Sequence, residues 1–462
     1  MNRIVIIGGG ISGLAAAHRV LELNRAAHVT ILEASGRLGG TIQTEHRNGF
    51  LLERGPDSFI SEKPQAIALA KRLGLESQLI QTNEEYRRSF IVRKGRLRAV
   101  PEGFQLMAPS RMWPFITSDI FSLPGKMRMA ADLFLPRNST NGTTDESLAS
   151  FVRRRLGQEA LVRMAQPMVG GIYTADPETL SLRATLPRFL DMEQKHRSLI
   201  LAMLRQGRAQ KTGTSGARYS LFVSFERGMQ VLVDAVTRIR ADFFLNTRVQ
   251  RITYDQRWKI YTDKEEQFEA DAVCLAVPAY VAASLLSDAQ LAEKLRAIKY
   301  ASTATINFGY RRAAIKHPLN GFGFVVPVVE KRSLIACTFS NVKFSGRAPD
   351  GQVLLRAFAG GALQPEIFAL DETEMAKRVE ADLRELLGIS EEPLFVEVAK
   401  WERSMPQYEV GHLERVTEIE RRAGEMPGLA LAGNAYHGAG IPDCVRSGEA
   451  AAEYLVGTRV RK

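Results

Sequence analysis

Three glycines near the start of the chain have the spacing of a phosphate-binding turn. Gly8, Gly10 and Gly13 form a Gly-x-Gly-x-x-Gly pattern, and Glu33 follows about twenty residues later. In such a pattern the first glycine allows a sharp turn, the second lets the backbone approach a pyrophosphate, and the third lets a helix pack closely against a strand. A carboxylate at the position of Glu33 accepts hydrogen bonds from ribose hydroxyls. Together these residues predict a dinucleotide site.

Two strands and a helix must position those residues. Residues 4–7 are a short apolar run rich in β-branched side chains, which indicates a buried strand. Residues 14–23 have helical apolar spacing, and residues 29–32 predict a second strand that ends just before the carboxylate. Strand, glycine turn and helix thus come in the order of a βαβ unit. The backbone N–H groups of Ile11 and Ser12, at the start of the helix, would face the pyrophosphate.

Length and composition narrow the class of protein. The chain has 462 residues, of which 45% are hydrophobic and 24% charged, as in ordinary globular proteins, and its length predicts two or three domains. The three cysteines form no Cys-x-x-Cys pair, which fits a reducing compartment and argues against a disulfide framework or a zinc ribbon. The seven histidines are scattered, so no metal site is predicted. Because we recognise neither an export signal nor a membrane-spanning segment, we expect a cytoplasmic location.

The excess of positive charge lies in one internal segment. The net charge is +11, and residues 87–218 contain 22 Lys and Arg against 10 Asp and Glu, whereas the rest of the chain has 40 against 41. A solvated basic face, contact with an anionic membrane surface and binding of an anionic substrate are the three interpretations. No nucleic-acid module is recognisable, so nucleic acid is not a predicted partner. Residues 102–184 look mainly helical and contain aromatic residues, so they could dock on the inner face of the cell membrane without spanning it; ordinary core helices are the alternative.

A second glycine-rich segment strengthens the nucleotide prediction and points to a family. The segment reads Gly36-Arg37-Leu38-Gly39-Gly40-Thr41, and its arginine could pair with phosphate. The glycine pattern, the acid and this Gly-Arg-x-Gly-Gly loop together resemble flavoproteins of the amine-oxidase and protoporphyrinogen-oxidase type. The resemblance implies one non-covalently bound FAD rather than NAD.

Two further segments resemble porphyrinogen oxidases more specifically. One is the glycine pair, aromatic residue and acid of residues 170–176 with Leu180-Ser181, which we interpret as a helix that ends at the paired glycines. The other is Gly440-Ile441-Pro442-Asp443-Cys444, which follows a strand at residues 429–433 and precedes a helix. This second strand–glycine–helix unit would bring another helix N-terminus to the cofactor. The resemblance covers nearly the whole chain.

The resemblance extends the set of candidate site residues beyond the first turn. In the family the residue that matches Val249 contacts the adenine through its backbone. The predicted cofactor-binding residues are Gly8, Gly10, Ile11, Ser12, Gly13, Glu33, Ala34, Arg37, Gly39, Gly40, Thr41, Gly55, Pro56, Asp57, Ser58, Val249, Trp401, Gly433, Asn434, Gly440, Ile441 and Pro442. The predicted substrate-binding residues are Arg88, Ile172, Phe324 and Phe339. No catalytic side chain is predicted, because the flavin N5 would accept a hydride, and we expect His412 to order a loop.

The implied fold class is α/β. It combines a discontinuous Rossmann-like FAD domain of the GR2 type, an antiparallel-sheet substrate domain and a helical insertion. The predicted limits are 1–84, 221–287 and 401–462 for the FAD domain, 85–98 and 288–400 for the substrate domain, 99–184 for the helical insertion and 185–220 for a linker or loop. The loop prediction depends on residues 195–218, which are polar, basic and contain several glycines.

The function that the resemblance implies is oxygen-dependent oxidation of a porphyrinogen in haem biosynthesis. Six electrons would leave in three turnovers, with O2 reoxidising FAD and releasing hydrogen peroxide. Protoporphyrinogen IX is slightly favoured, and coproporphyrinogen III, whose extra carboxylates suit the basic segment, is the alternative. An amine oxidase, a carotenoid-type desaturase and a flavin-binding scaffold without activity are the other candidates. The membrane surface and another enzyme of the haem pathway are possible partners.

Overall fold

Two sheets of different construction and a group of helices organise the computed structural model, which describes residues 3–105, 107–138, 145–212 and 221–457. The strands are β1 (Arg3–Ile7), β2 (His28–Leu32), β3 (Thr44–Arg47), β4 (Phe50–Glu53), β5 (Phe59–Ile60), β6 (Leu79–Gln81), β7 (Phe90–Arg93), β8 (Arg96–Ala99), β9 (Phe104–Gln105), β10 (Ala108–Pro109), β11 (Phe222–Phe225), β12 (Asp242–Phe244), β13 (Val249–Asp255), β14 (Arg257–Thr262), β15 (Gln267–Ala270), β16 (Ala272–Leu275), β17 (Tyr300–Arg311), β18 (Gly323–Val325), β19 (Ala336–Phe339), β20 (Gln352–Gly360), β21 (Phe395–Pro406) and β22 (Leu429–Leu431). The helices are α1 (Ile11–Leu23), α2 (Gln65–Arg72), α3 (Met112–Thr117), α4 (Leu123–Ala130), α5 (Leu148–Arg155), α6 (Gln158–Ala160), α7 (Gln166–Tyr173), α8 (Leu182–Thr185), α9 (Pro187–His196), α10 (Leu199–Thr212), α11 (Gln230–Val236), α12 (Ala279–Leu285), α13 (Ala289–Arg296), α14 (Ser340–Lys343), α15 (Pro365–Phe368), α16 (Glu372–Leu387), α17 (His412–Gly424) and α18 (Ile441–Gly457).

The first sheet is the parallel sheet that the glycine pattern predicts. Its strand order is β12-β2-β1-β16-β22, and all neighbouring strands run parallel. Residues 4–7 pair with residues 29–32 on one side and with residues 272–275 on the other. These residues are buried because helices cover both faces of the sheet, with α1, α2, α11 and α18 on one face and α12, α13 and α17 on the other. The predicted α/β class is confirmed.

The second sheet has the strand order β21-β17-β20-β19-β18-β7-β8 and is antiparallel except between β18 and β7. The predicted β7–β8 hairpin turns at Lys94 and Gly95. Side chains alternate between the two faces of each strand. The outer face packs against α16. The inner face carries Thr305, Arg356 and Trp401, whose side chains bond to the backbone of residues 53–55, at the end of β4 and just after it.

Helices α3 to α10 form a third group with its own hydrophobic core. Phe151, Phe189 and Met203 are fully buried in it. Within the described residues, no helix is long and apolar enough to cross a bilayer. In the same part of the chain, no three His, Cys, Asp or Glu side chains are grouped as metal ligands would be.

Two local predictions in this helical group are wrong. Helix α7 does not end at the paired glycines but continues to Tyr173, and Thr174 then adopts a left-handed conformation with φ 49°. Residues 199–212 form α10 rather than a loop, whereas residues 213–218 lie outside the described residues. The buried side chains of Leu199, Ala202 and Met203 hold α10 against the core, and the basic residues of this segment had concealed their helical spacing.

The predicted domain limits remain predictions, although the helices and strands depart from them at two places. Strand β21 continues without a break past the limit at residue 400. Helices α9 and α10 extend the helical group beyond residue 184, because their apolar side chains share one core with α5 and α7. The discontinuous arrangement therefore depends on contacts in space more than on segment boundaries.

Candidate functional site

The glycine turn at the carboxyl end of β1 contains two kinds of glycine. Gly8 has φ +109°, and a Cβ on Gly8 or Gly13 would overlap the backbone oxygen of Ala276 or of Gly8 itself, so the protein alone requires both glycines. Gly10 is different, because a Cβ there would have only the Cα of Gly40 nearby, at 4.0 Å. The space above Gly10 is open, which suits a ligand that approaches the backbone.

Glu33 lies beside this turn with its carboxylate held from two sides. One oxygen accepts a hydrogen bond of 2.7 Å from the Gly9 N–H. The other accepts 2.8 Å and 2.7 Å bonds from the N–H and the hydroxyl of Ser35. A carboxylate has about four lone-pair positions, so Glu33 can still accept from a ribose while these bonds fix its direction.

The Arg37 loop closes over the glycine turn. The N–H of Gly39 donates to the Gly9 carbonyl at 2.8 Å, and a Cβ on Gly40 would lie 3.2 Å from the Cα of Gly10. Arg37 donates to three carbonyls of its own loop, those of residues 38, 40 and 42. Burial and the charge of Arg54 lower the pKa of Arg37. In this structure Arg37 fixes the shape of the loop, and its predicted contact with phosphate stays a prediction.

The C-terminal strand–glycine–helix unit meets the first one from the other side of β1. Gly433 has φ +136°, and a Cβ there would have nothing closer than 4.0 Å. Its N–H donates to Ser447 Oγ at 3.0 Å. Helix α18 packs against α1 because Gly448 lies directly against the Ser12 carbonyl. The start of α18, with Ile441 and Pro442, therefore lies beside the start of α1.

The thiol of Cys444 lies in the core between these two helices. Burial raises the pKa of Cys444 to about 12, so the thiol stays protonated at neutral pH. A buried, protonated thiol is a poor group for attaching a flavin, which favours non-covalent binding.

Tyr408 and His412 order the loop that carries Asn434. The hydroxyl of Tyr408 donates to the Asn434 carbonyl at 2.5 Å and accepts from the Gly438 N–H at 2.9 Å. The His412 ring stacks on Tyr408 at 4.0 Å and lies 2.9 Å from the Tyr436 carbonyl through Nε2. Burial lowers the pKa of His412 to about 4, so this neutral imidazole serves as a loop-ordering group, as expected.

Residues 53–58 lie between the glycine turn and the inner face of the second sheet. The Arg54 carbonyl accepts hydrogen bonds from Trp401 Nε1 at 2.8 Å and from Thr305 Oγ1 at 2.5 Å. A Cβ on Gly55 would overlap the Thr41 carbonyl, so this segment touches the Arg37 loop. Trp401 and Gly55, both predicted cofactor residues, are thereby brought together.

A buried ion cluster accompanies this segment, and sequence reasoning missed its cations. Lys343 Nζ lies 2.9 Å from one Asp57 oxygen, and Arg356 lies 3.9 Å from the same oxygen. Burial opposes ionisation of Asp57, but the charges of Lys343 and Arg356 outweigh it and lower the pKa of the carboxyl. The nearby Glu53 is buried without such a partner, and burial raises its pKa to about 7. The only sequence signal was Arg356, a lone charge within the apolar strand 352–360.

The prediction for two substrate residues fails because of strand alternation. Phe324 and Phe339 are 2% and 0% exposed and lie in the core under the outer face of the second sheet. The neighbouring side chains Val325, Thr338 and Phe358 have the opposite parity and belong to the inner face. These three are the better candidates for a substrate wall.

The other substrate candidates lie at the edge of this region. Helix α7 crosses β18, where a Cβ on Gly171 would lie 3.7 Å from Val325, and the next residue, Ile172, is exposed. Arg88 is exposed, its Cγ lies against Gly321, and its carbonyl accepts from the Phe322 N–H at 2.8 Å. The structure thus brings Ile172, but not Phe324 or Phe339, next to the inner face.

Val249 and its neighbours complete the nucleotide end of the site. Val249 begins β13 and is buried. The preceding residue pair is tied to the acid strand, since Thr247 N–H donates to the Glu33 carbonyl and Asn246 N–H to that of Ser35, both at 2.9 Å. The backbone at Val249 therefore follows directly from the segment that borders Glu33 and Ala34.

Similarity to known proteins shows to which protein family the chain belongs. The family described as flavin containing amine oxidoreductase matches residues 11–456. The chain belongs to this family. FAD is its cofactor, and the protein is an FAD-dependent oxidoreductase.

Members of this family with assigned names cover almost the full length. A coproporphyrinogen III oxidase of Bacillus subtilis (strain 168) is 36% identical, over 97% of this chain and 97% of its own. A chloroplastic protoporphyrinogen oxidase of Nicotiana tabacum is 29% identical, over 98% and 85%. A crystal structure from Exiguobacterium sp. 255-15, provisionally assigned as a protoporphyrinogen oxidase, has 31% identity and a TM-score of 0.89 and covers 99% of both chains. Cyclohexylamine oxidase from Brevibacterium oxydans, with 17% identity and a TM-score of 0.72, shares the fold.

The residues of this family member fit FAD. Gly10 and Gly433 leave open space at the two helix starts, and α1 has neither an acidic residue in its first turn nor a side-chain cap. The first turn of α1 would hold the pyrophosphate and Glu33 the ribose. The cofactor supplies a hydride acceptor when bound. The inner face of the second sheet would then hold the substrate beside it.

Proposed function

We propose that this protein oxidises a porphyrinogen to the corresponding porphyrin in haem synthesis. One porphyrinogen and three O2 give one porphyrin and three H2O2, since each turnover moves two electrons. The observation that carries the proposal is near-full-length similarity to enzymes named porphyrinogen oxidases, at up to 36% identity.

Coproporphyrinogen III is the substrate we favour within this class. Three relatives named coproporphyrinogen III oxidase are 36%, 36% and 31% identical to the chain, whereas five plant relatives named protoporphyrinogen oxidase are 27–30% identical. The basic segment of residues 87–218 fits a substrate with more carboxylates. Protoporphyrinogen IX, which sequence analysis slightly favoured, is therefore the second candidate.

In this reaction the role of the side chains would be to position the substrate beside the flavin rather than to act as an acid or a base. Val325 and Phe358 offer an apolar wall on the inner face, and Ile172 is exposed on the helix that crosses it. A flat macrocycle packed on such a wall would be held next to the flavin, and water would be excluded from the reacting atoms.

The deciding experiment compares both substrates. Purified, FAD-loaded protein is incubated in air with each porphyrinogen, and porphyrin fluorescence and H2O2 are followed. We expect fluorescence with both substrates and a higher kcat/KM for coproporphyrinogen III. No gain over the enzyme-free control with either compound refutes the assignment, and a higher kcat/KM for protoporphyrinogen IX reverses the substrate order. H2O2 released with simple amines alone would favour an amine oxidase.

We also propose that the helical group touches a membrane surface. An apolar patch formed by Trp113, Ile116, Leu123, Met127 and Phe134 projects from α3, α4 and the turn that follows, with Trp113 75% and Phe134 81% exposed. Lys126 donates to the Ile116 carbonyl at 2.7 Å and so joins the two helices. Exposed aromatic side chains beside basic residues are typical of interfacial binding. Contact with another haem-pathway enzyme remains a separate prediction.

Vesicle sedimentation tests this contact. The protein should sediment with phosphatidylglycerol vesicles more than with phosphatidylcholine vesicles, and a Trp113→Ser/Phe134→Ser variant should lose most of this binding. The control variant Val329→Ser/Val410→Ser removes exposed apolar side chains elsewhere and should bind like the unmodified protein. Equal sedimentation of the two variants would contradict the proposal.

A further inference from the structure

Two buried arginines and one partly buried lysine surround residues 53–58, next to the inner face of the second sheet. Arg347 and Arg356 are buried, at 2% and 4% exposed, whereas Lys343 is only partly buried, with 13% of its side chain exposed. Buried cations need a reason, because burial of a charge is costly unless its partners compensate it. The partners of each cation differ in a way that leaves positive charge in this region.

All three N–H donors of the Lys343 ammonium have acceptors. Its ammonium donates to both Asp57 oxygens, at 3.2 Å and 2.9 Å, and to Ser58 Oγ at 3.1 Å. An ammonium has three donors, so Lys343 has no N–H left for a substrate carboxylate. The Lys343–Asp57 pair is neutral as a unit.

Arg356 is held by neutral oxygens instead. Its Nε donates to the Glu53 carbonyl at 3.1 Å, and Nη2 donates to the Gly55 carbonyl. Its nearest carboxylate is that of Asp57, at 3.9 Å, which Lys343 already neutralises. The guanidinium also lies 4.5 Å from the centre of the Phe358 ring on the inner face. The charge of Arg356 is thus hydrogen-bonded but not cancelled.

Arg347 adds a further positive charge to this region, and the Glu53 carboxyl offsets the positive charge only in part. Arg347 donates to Ser224 Oγ at 3.0 Å and to the carbonyls of Phe225 and Glu226, both at 2.9 Å. The Glu53 carboxyl bonds to the Met229 N–H and to Thr44 rather than to a guanidinium. With Glu53 ionised the five charged groups sum to +1, and with Glu53 protonated to +2.

This cluster adjoins the space where the flavin half of FAD must lie. Gly10 faces Gly40, Thr41 follows Gly40, and the Thr41 carbonyl lies against Gly55, whose carbonyl Arg356 binds. If the pyrophosphate of FAD lies over Gly10, the flavin half would extend past Thr41 and Gly55 toward the inner face of the second sheet.

We propose that Arg356 supplies a fixed positive charge that favours the reduced, anionic form of the flavin. A hydride carries one proton and two electrons, so its transfer to neutral oxidised FAD leaves one negative charge on the ring, and the substrate releases its second proton to solvent. Preorganised charge aimed at developing charge acts strongly in a buried site. The inference depends on FAD as the cofactor and not on the identity of the substrate.

Sulfite binding and the reduction potential test this role without any substrate. Sulfite adds to the oxidised flavin and leaves the same negative charge on the ring. Arg356→Met should weaken sulfite binding about tenfold, and the same factor corresponds to about 30 mV lower potential for a two-electron couple. Arg356→Lys keeps the positive charge, so it should recover most of the sulfite affinity and most of the reduction potential. Arg311→Met, which removes an exposed arginine from the same sheet, should change neither.

A variant that removes a negative charge distinguishes an electrostatic effect from damage to the fold. Asp57→Asn removes negative charge, so it should tighten sulfite binding and raise the potential, which a merely disordered site would not do. An unchanged potential in both Arg356→Met and Asp57→Asn would overturn the proposal, as would shifts of the same sign. If these shifts occur but no porphyrinogen is oxidised, the proposed function fails and this inference stands.

Discussion

The indole N–H of Trp401 donates a 2.8 Å hydrogen bond to the backbone carbonyl of Arg54. The two residues are 347 positions apart in the chain, one on the inner face of the second sheet and the other in the segment next to the Arg37 loop. Thr305 donates to the same carbonyl at 2.5 Å, and Arg356 donates to the carbonyls of Glu53 and Gly55 on either side of it. These bonds hold the inner face of the second sheet against the segment of residues 53–55.

Loss of the Trp401 hydrogen bond should weaken this junction without removing its packing. Trp401→Phe should lower the free energy of unfolding of the FAD-loaded protein by about 1 kcal/mol, because the Arg54 carbonyl keeps its bond from Thr305. Chemical denaturation followed by flavin fluorescence measures the change. Trp113→Phe is the matched control, since Trp113 is exposed and should tolerate the same exchange. Equal effects of the two variants would show that the bond contributes nothing.

The open space at Gly10 gives a prediction about cofactor content. Gly10→Val should yield folded but colourless protein, because the added methyl groups would fill the space that the pyrophosphate needs while touching little of the protein. Absorbance of the flavin relative to protein measures this. Gly424→Val is the control, since a Cβ at Gly424 also meets nothing within 4 Å but lies at the end of α17. Retained flavin in Gly10→Val would refute the placement of the pyrophosphate.

The local order of the dinucleotide unit could be predicted from the sequence, because it depends on neighbouring residues. The strand of residues 4–7, the turn at Gly8 and the helix after it follow one another along the chain. The wall of the cleft could not be predicted in the same way. Which of Phe324 and Val325 lies on the inner face depends on the pairing of β18 within its sheet, and a shift of one residue exchanges the two faces.

The ion cluster was beyond prediction for a related reason. Asp57 and Lys343 are 286 positions apart, and nothing near either residue in sequence indicates the other. The basic segment of residues 87–218 drew attention to charge elsewhere, yet several of its arginines prove to be paired, as Arg155 is with Asp132. The net charge of that segment therefore says nothing about the charged groups around residues 53–58.

Glu53 should make stability fall as pH rises. Burial raises its pKa in the folded protein to about 7, above the value of the unfolded chain, so the folded state binds more protons between about pH 4.5 and pH 7. Across this window the free energy of unfolding should decrease by about 3 kcal/mol from this group, at about 1.36 kcal/mol per pH unit. His412, whose pKa burial lowers to about 4, gives the opposite slope below pH 6.5.

The Glu53 effect is measured as a difference, so that the contribution of His412 cancels. The unfolding free energy of Glu53→Gln minus that of the unmodified protein should increase from pH 4.5 to pH 7 and then level off. Glu269→Gln, which changes an exposed glutamate on β15, should show a flat difference. A flat difference for Glu53→Gln as well would mean that its carboxyl titrates as an ordinary one.

Removing only one partner of the Asp57–Lys343 pair should lower the free energy of unfolding more than removing both. Lys343→Met leaves the buried Asp57 carboxylate without its three-donor partner, and breaking a buried pair in this way costs about 3–5 kcal/mol. Asp57→Asn/Lys343→Met removes both charges, so it should recover much of that loss, and the double-mutant cycle gives the coupling energy. Unfolding of the FAD-loaded variants in denaturant supplies all four values. Additive losses in the double variant would contradict a coupled pair, and they would mean that Arg356, at 3.9 Å, compensates Asp57 by itself.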